Sequence, residues 1–440
     1  MIKSQLLSMN GVLCSCGKVH SFSSLTISGE GALKNLTKEI ERLGGKLPYV
    51  ISDANTKKIA EGKVKDELLS GGYDPVFFSF KEESPEPDEK TVGSALMHLK
   101  DGCDIIIAVG SGVVNDTSKI ISARTGLPYI IVATAPSMDG YQSMTSSMTM
   151  DGLKMSLPSR AADVIIGDTE ILKSAPKRML VSGVGDMLAK YVSICEWRIA
   201  NLILGEYYCE EIAKLIRAAL KKIRGAQKAI INGDGEAIEA VFDGLTATSV
   251  AMNYAGVSRP ASGIEHYISH IYDMRAAEFG TNAELHGIQC AISTLIAIKL
   301  YEKLLTVTPD RLKALAYVEK FDKEAWKSGL KKLLGNAADG MIALEEKEQK
   351  YDKEKHEERL DKIISSWEEI KSIIREELPS YDETLAFMNA IGAPTSFAVV
   401  GIDEAILPEV LYYAKDIRDK YVLPRLLFDL GIFDEFKNEL

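Results

Sequence analysis

The run Cys103-Asp-Ile-Ile-Ile-Ala-Val109 is almost wholly apolar and breaks directly into Gly110-Ser-Gly112. A segment with no polar face is a strand covered on both sides, and a parallel sheet clothed by helices supplies that cover. The neighbouring sequence repeats the pattern. Lys46–Asp53, Pro75–Phe80, Leu127–Ala133 and Asp163–Gly167 read as further strands, separated by helical segments such as the charged one that ends near Leu69 and the one over Glu89 to Lys100. Lys81 to Asp88 is a charged, proline-bearing loop, and Met144 to Ser156 alternates around Asp151-Gly152, a hairpin-turn signal. This alternation predicts an α/β domain with a Rossmann-like parallel sheet.

From about Ile171 the strand signals stop and helical periodicity runs to the end. The expected division is an α/β nucleotide domain over 1–173 and an all-helical, metal- and substrate-binding domain over 174–440, with the boundary near Ser174-Ala-Pro176. A length of 440 residues, more than one core usually supports, agrees with two domains. Lys347 to Arg375 is dense in charge, yet Leu360, Ile363, Ile364, Trp367, Ile370 and Ile374 recur at three- and four-residue steps, so an amphipathic helix is expected there.

A formal net charge of −11 removes the basic surface that nucleic-acid binding requires. No run of eighteen apolar residues appears and the N-terminus lacks a signal-peptide core, so the expectation is a cytoplasmic protein with no membrane partner. Six scattered cysteines are too few for a disulfide framework in a chain this long and are expected as thiols. Cys14-Ser-Cys16-Gly-Lys-Val-His20 looks like half of a zinc site, but no second cysteine pair completes it. A turn is the expected reading.

Two patterns carry chemistry. The first is Gly110-Ser111-Gly112-Val113-Val114-Asn115-Asp116 between a buried strand and a helix, where glycine lets backbone N–H groups approach a pyrophosphate at the helix N-terminus. A plain strand-to-helix turn explains the same residues. Asp53, at an upstream strand end, adds a carboxylate able to accept hydrogen bonds from an adenosine ribose and favours NAD over NADP. It precedes the glycines, whereas in the familiar dinucleotide fold the acid follows them, so a different topology is expected.

The second pattern is histidine density. Three of the six histidines, His266, His270 and His286, fall within twenty-one residues. His266 and His270 stand four apart and share one helix face, and one of them with His286 can converge on a divalent cation. Imidazole suits zinc, nickel or iron, and an oxygen ligand would complete a catalytic site. Satisfied core histidines are the bland alternative. Asp186 opens a long helix after Ser182-Gly-Val-Gly, where it serves equally as a cap, and Asp139 sits in a loop where it serves equally as a turn former.

Over about residues 45 to 300 the chain resembles the glycerol-1-phosphate dehydrogenases, within the superfamily of glycerol dehydrogenase, iron-dependent alcohol dehydrogenase and dehydroquinate synthase. The resemblance rests on Gly110-Ser-Gly112 with Asp116 and Lys119, on Thr134-Ala-Pro-Ser137-Met-Asp139-Gly-Tyr-Gln-Ser143, on Gly183-Val-Gly-Asp186-Met-Leu-Ala-Lys190 and on the histidine cluster. Length and helical extension look most like its bacterial branch. The resemblance implies Asp186, His266 and His286 as ligands of one divalent metal, zinc, nickel or iron, with His270 facing substrate. It also implies that Asp53, Gly112, Val113, Val114, Asn115, Asp116, Thr134, Ala135, Pro136, Ser137 and Ser143 line NAD(H) or NADP(H), and that Asp139 touches substrate. Asp186 and His270 then carry the chemistry. The implied reaction interconverts dihydroxyacetone phosphate and sn-glycerol 1-phosphate, the substrate being a small phosphorylated molecule and the enzyme a homodimer. A polyol dehydrogenase or a dehydroquinate-synthase-like lyase is the alternative, although the lyases use a glutamate where this chain has Asp186.

Overall fold

A computed structural model of the protein describes residue 6 and residues 8–83, 85–150 and 153–439. The chain forms two compact units, one of Met1–Met187 with Lys214–Gly256, the other of Leu188–Ala213 with Val257–Leu440.

In the first unit, strands β1 (Leu25–Gly29), β2 (Pro48–Ser52), β3 (Val76–Ser79), β4 (Ile105–Gly110), β5 (Tyr129–Ala133) and β8 (Val164–Asp168) form one sheet in the order β1-β8-β5-β4-β2-β3. Every pairing in it is parallel. Five of these strands lie where the apolar runs predict them. The exception, β1, is not legible in the sequence. It is an edge strand of sequence Leu-Thr-Ile-Ser-Gly, mostly half-buried, and its polar residues dilute the apolar signal. β6 (Thr145–Met150) and β7 (Leu153–Pro158) pair antiparallel as the expected hairpin, whose Asp151-Gly152 turn lies outside the described residues.

Helices α1 (Leu36–Arg42) and α2 (Gly62–Ser70) bury Leu36, Ile40, Val64 and Leu68 against Ile105, Ile107 and Val109 of β4 and Ile130 and Val132 of β5. α3 (Glu89–Met97) and α4 (Gly112–Thr125) pack on each other. The chain moves outward from β2 to the edge strand β3 and then returns past β2 to β4. Because crossovers between parallel strands are right-handed, that reversal sends the connections off opposite faces and opens a crevice at the carboxyl ends of β2 and β4. Asp53 follows β2 there, and the Gly110–Gly112 loop follows β4.

After β8 no strand occurs among the described residues. α5 (Lys177–Leu204) begins in the first unit, and the division between the units falls within it, after Met187. α6 (Gly235–Ala255) belongs to the first unit and packs on β1. In the second unit, α7 (Ile264–Phe279) and α8 (His286–Leu304) lie side by side and share a core with Val192, Ile199, Trp326, Leu411 and Leu426. The segment beyond Asp310 packs on this pair through Tyr381–Ile391 and Leu407–Ala414. The charged stretch is two helices, α9 (Lys353–Ser365) and α10 (Trp367–Glu377), meeting at Ser366; Leu360, Ile363, Trp367, Ile370 and Ile374 are all buried. Their apolar stripe carries across the break.

Candidate functional site

The Gly110–Gly112 turn is shaped by two different glycine requirements. A Cβ at Gly110 would lie 2.5 Å from the Cβ of Val114, so glycine there allows the helix to start immediately after the strand. A Cβ at Gly112 would meet nothing within 4 Å, which leaves the helix end open above it. α4 has no side-chain cap, and the first-turn N–H groups of Gly112, Val113 and Val114 have no partner within the helix. That end of the helix suits an anion.

Register places Ser52 of β2 beside Val109 of β4, so Asp53 and the glycine loop stand side by side at the crevice. One oxygen of Asp53, Oδ1, accepts the N–H groups of Asn55 (2.9 Å) and Thr56 (2.7 Å), which fixes the carboxylate at the strand end. Thr134 joins the same edge, its N–H donating to the carbonyl of Gly110 at 3.0 Å.

The segment that follows is clamped from several sides. Lys119 of α4 is fully buried, and its ammonium donates to the carbonyls of Gly140 (3.2 Å) and Thr145 (2.7 Å) and to Ser143 Oγ (2.9 Å), beside Asp116 at 2.8 Å. Asn115 is buried too, accepting from the Tyr129 hydroxyl at 2.7 Å and donating to Gly140. Tyr141 donates to the carbonyl of Ala135 at 2.6 Å, and Ser182 of α5 to that of Ser137 at 2.9 Å. Gly183 is where α5 meets this loop most closely, since a Cβ there would sit 1.8 Å from the carbonyl oxygen of Pro136. One turn on, Asp186 is fully buried and its Oδ2 accepts the N–H of Asp139 at 2.8 Å. A carboxylate oxygen of each lies within 4.8 Å of the other. Thus the sequence Ser-Gly-Val-Gly-Asp reads as a close approach followed by a carboxylate aimed at the loop.

In the second unit the three histidines converge. Ring centroids of His266 and His286 are 4.9 Å apart, and His270 lies 5.7 Å from His286 and 6.3 Å from His266. His266 is buried, the other two half-buried. Glu265 Oε1 accepts the N–H of Gly263 at 2.6 Å and stands 2.9 Å from His266 Nδ1. An oxygen already acting as acceptor takes the Nδ1 proton, which leaves Nε2 of His266 as the lone-pair nitrogen. Such a carboxylate behind an imidazole is the usual support of a metal-ligating histidine.

Sequence reading missed Glu265, and it missed Cys290, which stands one turn after His286 and has its sulfur 3.6 Å from His286 Nε2. The four-residue spacing from His286 was the available signal. Burial pushes the Cys290 thiol up, but the neighbouring His266 and His286 outweigh it and hold the group below its ordinary value. One ligand atom each of His266, His286 and Cys290 falls within 4.8 Å of the others. Two imidazole nitrogens with a soft sulfur nearby fit a borderline cation.

Proteins of known identity resemble this chain. Residues 27–176 match the sequence model of the iron-containing alcohol dehydrogenase family. The glycerol-1-phosphate dehydrogenase [NAD(P)+] of Thermococcus kodakarensis is 35% identical over 275 residues, covering 61% of this chain and 76% of that protein. The chain belongs to the glycerol-1-phosphate dehydrogenase family. A second member, from Bacillus licheniformis, is 28% identical over 425 residues, 95% of this chain and 92% of that one, so the family likeness includes the helical extension. Among solved structures, the glycerol dehydrogenase of Schizosaccharomyces pombe matches with a TM-score of 0.62 at 18% identity, covering 96% of this chain and 92% of that one. That likeness shows the fold. As a member of the glycerol-1-phosphate dehydrogenase family, the chain is an NAD(P)-dependent oxidoreductase of the metal-binding kind.

Proposed function

We propose that the protein interconverts dihydroxyacetone phosphate and sn-glycerol 1-phosphate, with Asp186, His266 and His286 holding one divalent cation. The observation that carries this reading is His266, whose Nδ1 is committed to Glu265 and whose ring centroid lies 4.9 Å from that of His286, in a family where relatives bear that activity in their names. Bound there, the cation supplies a Lewis acid that stabilises negative charge on the substrate oxygen as hydride moves to or from the nicotinamide.

The chain's own residues supply the rest. The open N-terminus of α4 receives the dinucleotide phosphates, and Thr134, Ala135, Pro136, Ser137 and Ser143 hold the wall that Lys119 keeps in place. Asp53 accepts hydrogen bonds from the adenosine ribose and favours NAD(H) over NADP(H), whose extra phosphate would meet this carboxylate. Asp139, fixed through its N–H by Asp186, contacts substrate. His270, near both ligand histidines, binds substrate or relays a proton. The α/β part up to residue 173 is then the nucleotide domain and the helical part the metal domain, in a cytoplasmic homodimer without nucleic-acid or membrane partners. Among the described residues no helix is long and apolar enough to cross a membrane.

The test follows NADH and NADPH oxidation with dihydroxyacetone phosphate, run beside glycerol with NAD. Turnover with the phosphorylated ketone is expected. His266→Ala should abolish that turnover and remove one equivalent of metal. Turnover retained in this variant, or activity confined to glycerol, rejects the reading.

A further inference from the structure

Residues 10 to 22 form a small hairpin outside the catalytic machinery. Leu13 pairs with Val19, the N–H of Cys14 donates to the carbonyl of Lys18 at 2.9 Å, and that of Gly17 to the carbonyl of Cys14 at 2.9 Å. Gly17 takes a φ of 83°, the left-handed conformation that lets the turn close this tightly. Val12, Leu13 and Val19 are exposed, so the hairpin buries none of these three side chains. What the turn does instead is bring Cys14, Cys16 and His20 together, one ligand atom of each lying within 4.8 Å of the others.

His20 decides how to read that cluster. It is buried, its ring stacks on Tyr254, and Nδ1 lies 2.9 Å from the carbonyl oxygen of Tyr254. A carbonyl only accepts, so Nδ1 carries the proton and Nε2 presents its lone pair to Cys16 Sγ, 3.4 Å away. A histidine oriented through its far nitrogen is the arrangement that metal-ligating imidazoles show. Zinc bonds of about 2.3 Å to sulfur and 2.0–2.1 Å to nitrogen imply a tetrahedral S···N edge of about 3.6 Å, close to the separation seen. A plain thiol-to-imidazole hydrogen bond would give the same distance, so metal analysis must choose.

We infer that Cys14, Cys16 and His20 hold a second, structural metal ion, zinc or a cation of similar softness, independent of the catalytic one. Both cysteines bind as thiolates, their protons leaving to solvent when the metal enters, and no redox change is involved. Three protein ligands leave the fourth tetrahedral position to water or a further thiolate. The sequence shows these residues as half of a zinc site but favours a turn, because no second cysteine pair completes the motif and C-x-C is not the usual finger spacing.

The test is metal analysis of the full-length protein purified without chelator, followed by cobalt substitution. About two metal ions per chain are expected, falling to about one in the double variant Cys14→Ser, Cys16→Ser, with dehydrogenase turnover kept. The cobalt form should show thiolate charge-transfer absorption that persists in Cys290→Ser and disappears when Cys14 and Cys16 are replaced in that Cys290→Ser background. Only one metal per chain in the wild type, or a cobalt form of Cys290→Ser that lacks the thiolate band, overturns the inference. The wild-type stoichiometry and the Cys290→Ser spectrum decide the matter even where the double variant fails to fold.

Discussion

Single residues show most directly how this chain prepares for chemistry before any ligand arrives. Glu265 is fully buried beside His266, and its geometry selects the tautomer of the imidazole. Glu265→Gln keeps the shape and removes the charge. Its metal affinity, measured by competition with a chelator, should fall about 10- to 100-fold, with the thermal midpoint of the metal-free protein unchanged. An unchanged affinity would make Glu265 a spectator. At this scale the sequence was informative wherever chemistry requires a rare residue type at a fixed spacing. His266, His270 and His286 announced themselves by density, and all three converge within their unit. Glu265 and Cys290 did not, because glutamate is common on helices and a cysteine four residues from a histidine has many bland explanations. Asp186 was misplaced for a related reason: after Ser182-Gly-Val-Gly it reads as the cap that opens a helix, whereas α5 already begins at Lys177, so Asp186 is no cap and stands inside the helix, buried, accepting the Asp139 N–H.

Helices and strands were legible in proportion to how fully they are buried. β4 and β5, buried at every position, lie close to where the apolar runs put them, whereas the half-buried edge strand β1 left no readable pattern. The α9–α10 break at Ser366 was invisible because the apolar stripe continues across it. Charges buried beside the last helices were equally hidden. Lys415, directly after the helix Leu407–Ala414, is fully buried, with its ammonium 3.2 Å from the Tyr412 ring centroid and 3.1 Å from Asp416. Asp416 also accepts from Trp326 (2.9 Å) and Tyr351 (2.6 Å) and pairs with Arg425. Burial lowers Lys415 from its usual 10.5 to about 7, despite the opposing pull of Asp416. The folded state therefore binds fewer protons than the unfolded chain between these two values, so this lysine's contribution to stability rises with pH across that window and is lost as pH falls. Lys415→Met has no such dependence. The unfolding free energy of the wild type minus that of the variant, from urea unfolding at pH 7 and pH 9.5, should be more positive at the higher pH; a value that stays flat would mean the ammonium is not desolvated as the structure has it.

For the molecule as a whole, the order of its parts was readable because a parallel sheet and a helical array impose different periodicities on long stretches of sequence. Assigning each helix to a compact unit was not, because that depends on contacts far apart in the chain: α6 returns to pack on β1 more than 200 residues upstream. Metal is the variable that should act on both levels. A ligand that binds only the folded state stabilises it by about 2.7 kcal/mol when present at 100 times its dissociation constant. Stripping the catalytic cation should therefore lower the thermal midpoint by several degrees, and adding back zinc, nickel or iron should restore it together with turnover. His266→Ala separates the contributions. It should lack the part of the shift that belongs to the histidine site, yet still lose stability under a chelator strong enough to strip the Cys14, Cys16 and His20 hairpin. Scanning calorimetry of both proteins with and without chelator reads the two effects independently. A wild type whose midpoint ignores metal removal would mean that neither cluster retains an ion with useful affinity, and the proposed chemistry would lose its electrophile.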